Sequence, residues 1–183
     1  MITAKEITNS LYWSLRSSSD LIIPRYTPRD WFECDVWRLT KSGYVDEFEI
    51  KTSLSDFKAD ADKSKRGRII WNKETRGWDE TPGSNKHALL CDGDKGPNRF
   101  WFVVPEKMES VDVPPWAGLM IACSKYHTYV AKPAPKRHAK KWAGNRAKLL
   151  EAYYYRYWNH EAKRTDGEIV PILDVDPEPE FSI

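Results

Sequence analysis

The chain has 183 residues, with 29 Lys and Arg against 27 Asp and Glu, 40% hydrophobic residues and 13% aromatics that include nine Trp and nine Tyr. That length suits about one domain, and the apolar content excludes global disorder and a fibrous repeat. The near balance of charge hides an asymmetry, because Lys132 to Arg164 carries ten basic residues against Glu151 and Glu161, whereas Thr165 to Ile183 carries six acids and no base.

Ala4 to Leu15 spaces Ile7, Leu11 and Leu15 at helical intervals, and Thr3 followed by Glu6 is the pattern of a capping box. Leu21 to Ile23 reads as a short strand ended by Pro24, followed by an irregular rim from Arg25 to Trp31. Glu33 to Leu39 and Val45 to Thr52 read as a hairpin over Lys41, Ser42 and Gly43. In that register Thr40 faces Tyr44 and Asp35 faces Glu49. Val36 meets Phe48, Cys34 meets Ile50 and Arg38 meets Asp46 on the opposite face.

Ser53 and Asp56 then cap a helix expected to run to about Lys65. An excursion at about 66–86 follows, with a short strand expected at Arg68 to Trp71. His87 to Leu90 ends a helix or begins a strand, and Asp92 to Pro97 is a turn. Phe100 to Val104 and Gly118 to Cys123 are continuous apolar runs, suited to covered central strands or to a buried helix. Ala134 to Tyr157 is the longest helix candidate, and the acidic segment 165–183 is expected to be extended or disordered, leaving 1–164 as one domain. No apolar run reaches the ~18 residues of a spanning helix, and Lys5 and Glu6 interrupt any signal-peptide core, so a cytoplasmic protein with no membrane association is expected. Cys34, Cys91 and Cys123 are too widely spaced for a zinc ribbon or a disulfide framework.

Glu49 and Lys51 lie two apart in a strand and so share a face at about 6–7 Å, and the hairpin register adds Asp35. Two carboxylates at that separation suit a hard divalent cation such as Mg²⁺, which prefers oxygen ligands and binds phosphate directly. The metal ligands expected are Asp35, Glu49 and the backbone carbonyl of Ile50. Lys51 would position water or neutralise developing charge, and Glu6 on the first helix would join the catalytic group from above. His87 reaches towards this face from the end of the excursion. Glu-x-Lys alone is equally compatible with exposed sheet decoration.

The stretches Phe48 to Asp60, Phe100 to Pro105 and Val113 to Leu119 together resemble the MmcB-like group of bacterial and phage proteins, part of the PD-(D/E)XK nuclease superfamily and associated with DNA repair. The resemblance covers roughly Ile2 to Ala131. It implies an α/β fold with a restriction-endonuclease-like core, a mixed central sheet flanked by helices. It also implies Mg²⁺ or Mn²⁺ held by Asp35 and Glu49 beside Lys51, with Glu6 as the helix glutamate. Asp56 and Asp60 match a downstream Asp-Phe-x-x-Asp pattern, which makes Asp60 a second-shell candidate with His87. Cys34 stands where the superfamily has proline, and the excursion is longer than the family's connection.

The partner implied is DNA, with a protein partner in repair or phage DNA processing. Lys63, Lys65, Arg66 and Arg68 in the excursion, and Lys136, Arg137, Lys140 and Lys141 on adjacent turns of the last expected helix, offer backbone contacts. Trp71 and Trp78 are candidate stacking surfaces. The function expected is metal-dependent hydrolysis of DNA. The alternatives are a catalytically degenerate DNA-binding or complex-forming protein on the same core, and an interaction module whose acidic tail masks its basic helix.

Overall fold

In a computed structural model, the residues described are 2–29, 31–60, 64–65, 69–72, 74, 76–80 and 83–165. The chain divides into two compact units, Met1–Trp142 and Ala143–Ile183.

In the first unit, helix α1 (Ala4–Leu15) begins at the expected capping box: Thr3 accepts from the Glu6 amide, and the Glu6 carboxylate accepts from the Thr3 amide at 2.9 Å. The strands β1 (Ser19–Tyr26), β2 (Cys34–Thr40) and β3 (Val45–Ile50) form an antiparallel meander. Gly43 turns the β2–β3 hairpin at φ +84°, in the left-handed region that glycine adopts without strain. After helix α2 (Leu54–Ala59), short strand β4 (Ser64–Lys65) pairs with β7 (Ser84–Asn85), and β5 (Ile69–Asn72) pairs with β6 (Gly77–Glu80). Helix α3 (Lys86–Asp92) precedes β8 (Arg99–Pro105), β9 (Ala117–Ser124) and β10 (His127–Lys132). The main sheet runs β1-β2-β3-β8-β9-β10, with β3, β8 and β9 parallel and β10 antiparallel to β9. The fold is therefore α/β with a six-stranded mixed sheet flanked by helices.

The two sheet faces differ in chemistry. Ile7 and Leu11 of α1 pack with Val36, Phe48, Ile50, Val103 and Met120 in one apolar cluster. Alternation sends Glu47 and Glu49 to the other face. There Phe57 of α2 and His87 of α3 contact the ring of Phe102.

Several expectations change. β1 continues through Pro24, which pairs with Val36, because β1 is an edge strand where a missing amide donor is tolerated. The pairing of β1 also shifts register between Ser19 and Leu21, and that of β10 at His127/Thr128 and Val130/Lys132. Helix α2 stops at Ala59 and does not reach Lys65, which lies in a strand. The helix expected over Ala134 to Tyr157 is extended in its first part. Asn98 fixes that segment by donating through Nδ2 to the His138 and Lys140 carbonyls at 3.0 and 2.8 Å, and Pro133 and Pro135 favour extended backbone before them. Gly118 permits its close approach, since a Cβ there would lie 2.6 Å from the Ala134 nitrogen.

In the second unit, α4 (Arg146–Thr165) starts where the Asn145 side chain accepts from the Lys148 amide at 3.2 Å. The expected acidic tail lies beyond Thr165, outside the described residues. No described helix is long and apolar enough to cross a membrane.

Candidate active site

The β2–β3 register pairs Val36 with Phe48, Trp37 with Glu47 and Arg38 with Asp46. Beyond Val36 the arrangement changes. The Asp35 Oδ2 accepts from the Ile50 amide at 2.7 Å, so this carboxylate is anchored to the backbone between Glu49 and Lys51. Cys34 is fully buried with its thiol beside Glu47 and not facing Ile50's cluster. Burial pushes that thiol well up, and the neighbouring Glu47 charge adds to the rise.

Glu49 is held at both oxygens: Oε1 accepts from Lys51 Nζ at 3.1 Å and Oε2 from Lys86 Nζ at 2.8 Å. Lys86, the first residue of α3, also pairs with Glu47 Oε1 at 2.7 Å. The other Glu47 oxygen accepts from the Trp31 indole at 2.7 Å. On the opposite side, Lys51 pairs with Asp60 Oδ1 at 2.7 Å and with Asp56 Oδ1 at 3.4 Å. Asp60 Oδ2 meets His87 Nε2 at 2.7 Å. A continuous polar chain therefore runs from Trp31 through Glu47, Lys86, Glu49, Lys51 and Asp60 to His87. Its five central members are all 3% exposed or less. His87 opens onto a cleft of about 470 Å³, lined also by Phe57, Lys58, Phe102, Asp112 and Pro114.

Three buried carboxylates, Glu47, Glu49 and Asp60, face two buried ammonium groups, so the cluster carries an acid surplus. Burial alone would push Lys51 and Lys86 down, yet the surrounding carboxylates overcome it and hold both above the usual lysine range: Glu49 and Asp60 for Lys51, Glu47 and Glu49 for Lys86. A raised lysine contributes stability that is complete below the unfolded value of 10.5 and lost as pH rises through the folded value. The expected result is a thermal midpoint that falls steadily above about pH 10.5, and more shallowly in Lys51→Met than in the parent chain.

Of the expected site residues, the structure brings Glu49, Lys51, Asp60 and His87 into one chain of contacts and sets Asp35 against the Ile50 amide. It does not bring Glu6 there. The Glu6 carboxylate is engaged by Thr3, and its helix packs on the sheet face opposite Glu49. Hydrogen bonds to the Thr3 amide and hydroxyl hold the Glu6 carboxyl below the usual range. Glu47, Lys86 and Trp31 were not among the candidates. Glu47 extends Glu-x-Lys to Glu47, Glu49 and Lys51 on one strand face, a signal present in the sequence. Lys86 has none, being separated by the whole excursion.

The basic residues sort differently from expectation. Arg137 is not on a helix and does not present its guanidinium to solvent contacts; it donates to the Leu90, Pro97 and Leu89 carbonyls at 2.8, 2.8 and 2.9 Å, closing the end of α3. Lys136 lies 3.7 Å from the Tyr44 ring centroid, Lys141 lies 5.8 Å from it, and Lys140 donates to the Asp94 carbonyl at 3.2 Å. These three lysines are exposed on an extended segment, not on successive helical turns. Lys63, Arg66 and Arg68 lie outside the described residues, and Lys65, Trp71 and Trp78 have their backbone in β4, β5 and β6.

Among the described residues no three His, Cys, Asp or Glu side chains form a ready cation cage. The donor types at Asp35, Glu49 and the Ile50 carbonyl are the hard oxygens that Mg²⁺ and Mn²⁺ take, so the set fits such a cation in chemistry. Lys86 competes for the same Glu49 oxygen.

No family model matches the chain, and no curated protein matches it. A solved structure of a protein of unknown function from Silicibacter pomeroyi is similar in fold, with a TM-score of 0.58 over 95% of this chain and 99% of its own, at 18% identity. At that identity the likeness carries the fold.

Proposed function

We propose that this chain is a Mg²⁺- or Mn²⁺-dependent DNA nuclease on a restriction-endonuclease-like core, acting in phage or bacterial DNA repair or processing in the cytoplasm. The carrying observation is the convergence of Asp35, Glu49 and Lys51 about the Ile50 peptide, with carboxylate and ammonium 3.1 Å apart on one strand. The order of an antiparallel hairpin followed by a parallel strand supports the reading, because it sets these residues at neighbouring strand ends.

Asp35, Glu49 and the Ile50 carbonyl would hold the cation, which supplies a polarised phosphoryl oxygen and a more acidic water. Lys51 places its charge where the phosphorus gathers negative charge as the water oxygen bonds to it and the ester P–O bond breaks. Asp60 and His87 orient Lys51 from the cleft side and exclude water from its far face. The leaving oxygen takes its proton from solvent in the open cleft.

The engagement of Glu49 by Lys86 favours a second reading, a DNA-binding protein whose core has lost hydrolysis. Incubating the full chain with single-stranded and duplex DNA in Mg²⁺, Mn²⁺ or chelator separates the two. The nuclease reading expects cleavage with either cation and none with chelator, together with Mn²⁺ binding by calorimetry. Salt-sensitive DNA binding with neither cleavage nor Mn²⁺ uptake would overturn it in favour of the second.

A further inference from the structure

Helix α1 presents a second chemistry on its outer side. Ile7, Ser10 and Leu11 face inward and are fully buried, yet Tyr12 and Trp13 are 47% and 41% exposed. Their exposure is not a requirement of the core. The turn between β9 and β10 brings a third ring, Tyr126, which is 56% exposed. Trp13 meets Tyr12 edge to face at 5.8 Å and Tyr126 at 6.1 Å, so the three rings form one continuous group. The Asn9 amide donates to the Lys125 carbonyl at 2.8 Å and fixes the turn to the helix. The arrangement is therefore set by the fold rather than by side-chain chance.

Cations accompany the rings. The Arg16 guanidinium lies 4.1 Å from the Trp13 ring centroid, and the Lys125 ammonium lies 5.0 Å from that of Tyr126. The acid of α1, Glu6, has its carboxylate engaged by Thr3. A ligand complementary to exposed rings and unneutralised cations must carry flat aromatic faces and repeated negative charge.

We propose that this face, Tyr12, Trp13 and Arg16 with Lys125 and Tyr126, is a binding surface for single-stranded nucleic acid. Unpaired bases stack on the rings and on the guanidinium plane, and the phosphates lie on Arg16 and Lys125. A duplex keeps its bases stacked on one another and offers these rings only its ends. The surface lies on the α1 side of the sheet and the ion chain on the other, so it stands independently of the proposed hydrolysis.

The test is fluorescence anisotropy of a labelled thymidine homopolymer titrated with the full chain in chelator, where no cleavage occurs. Trp13→Ala with Tyr126→Ala is expected to weaken binding roughly 10- to 100-fold, the usual range for lost base stacking. Arg16→Gln with Lys125→Gln should flatten the dependence of log affinity on log salt by about 1. Trp13→Phe should retain most of the affinity, and circular dichroism confirms that each variant is folded. Glu49→Gln should bind the homopolymer like the parent, which separates failure here from failure of the nuclease reading. Equal affinity of the parent and the Trp13, Tyr126 double variant would overturn the proposal. So would equal affinity for duplex of the same length, or sedimentation showing that the rings are instead covered by a second copy of the chain.

Discussion

Lys86→Met is expected to lower the stability of the folded chain by about 3–5 kcal/mol, the usual cost of removing one partner from a buried ion pair. Lys86 is fully buried between Glu47 and Glu49 at 2.7 and 2.8 Å, and its aliphatic stem is matched by methionine in length. What is lost is the charge. Two carboxylates then face each other in an apolar setting, with only the Trp31 indole and Lys51 still donating to them. In a chain of this size the thermal midpoint should fall by roughly 10 °C. Adding Glu47→Gln to the same chain should recover part of the loss, since it removes one of the stranded charges. If Glu49 is a cation ligand, Mn²⁺ should also raise the midpoint of Lys86→Met more than that of the parent, because ligand binding to the folded form adds stability. An unchanged midpoint in Lys86→Met would contradict the burial and pairing of this ammonium.

Glu49→Gln is expected to reduce cleavage by at least about 10²- to 10³-fold, the scale seen when a single electrostatic contributor to a transition state is removed. The substitution preserves shape and keeps one oxygen to accept from a lysine, while removing the charge that a cation and Lys51 both use. Its effect should fall on turnover, with affinity for DNA in chelator unchanged. The measurement is single-turnover cleavage at saturating Mg²⁺, with the folded state verified by its near-ultraviolet spectrum. Full activity in a folded Glu49→Gln protein would remove this carboxylate from the mechanism.

Much of the local structure was legible because short-range chemistry decided it. Thr3 and Glu6 wrote the start of α1, Gly43 wrote the hairpin, and the alternation of Val45 to Lys51 separated an apolar face from a charged one. The segment Ala134 to Trp142 misled because its helical composition is overruled by distant contacts: Asn98 supplies donors to two of its carbonyls, and Trp142 donates to the Gly43 carbonyl at 2.9 Å. β10 went unrecognised because its six residues include exposed and charged positions and depend on β9 for their pairing.

At the site, Glu49 and Lys51 were visible through their two-residue spacing. Lys86 was not, because a buried lysine looks like a surface one until its partners are placed. Glu6 illustrates the converse. Its position in a helix that covers the sheet was correctly read, while the face covered is fixed by Ile7 and Leu11 meeting Phe48 and Ile50.

The margins of the main sheet carry one more consequence. β1 has a proline in mid-strand and an offset near its start, and β10 has two offsets within six residues. A neighbouring polypeptide seeking to add itself by backbone pairing meets a missing donor on one border and a broken cadence on the other. The molecule is thereby guarded against fibre-like self-association while its flat aromatic and charged surfaces remain open to other ligands.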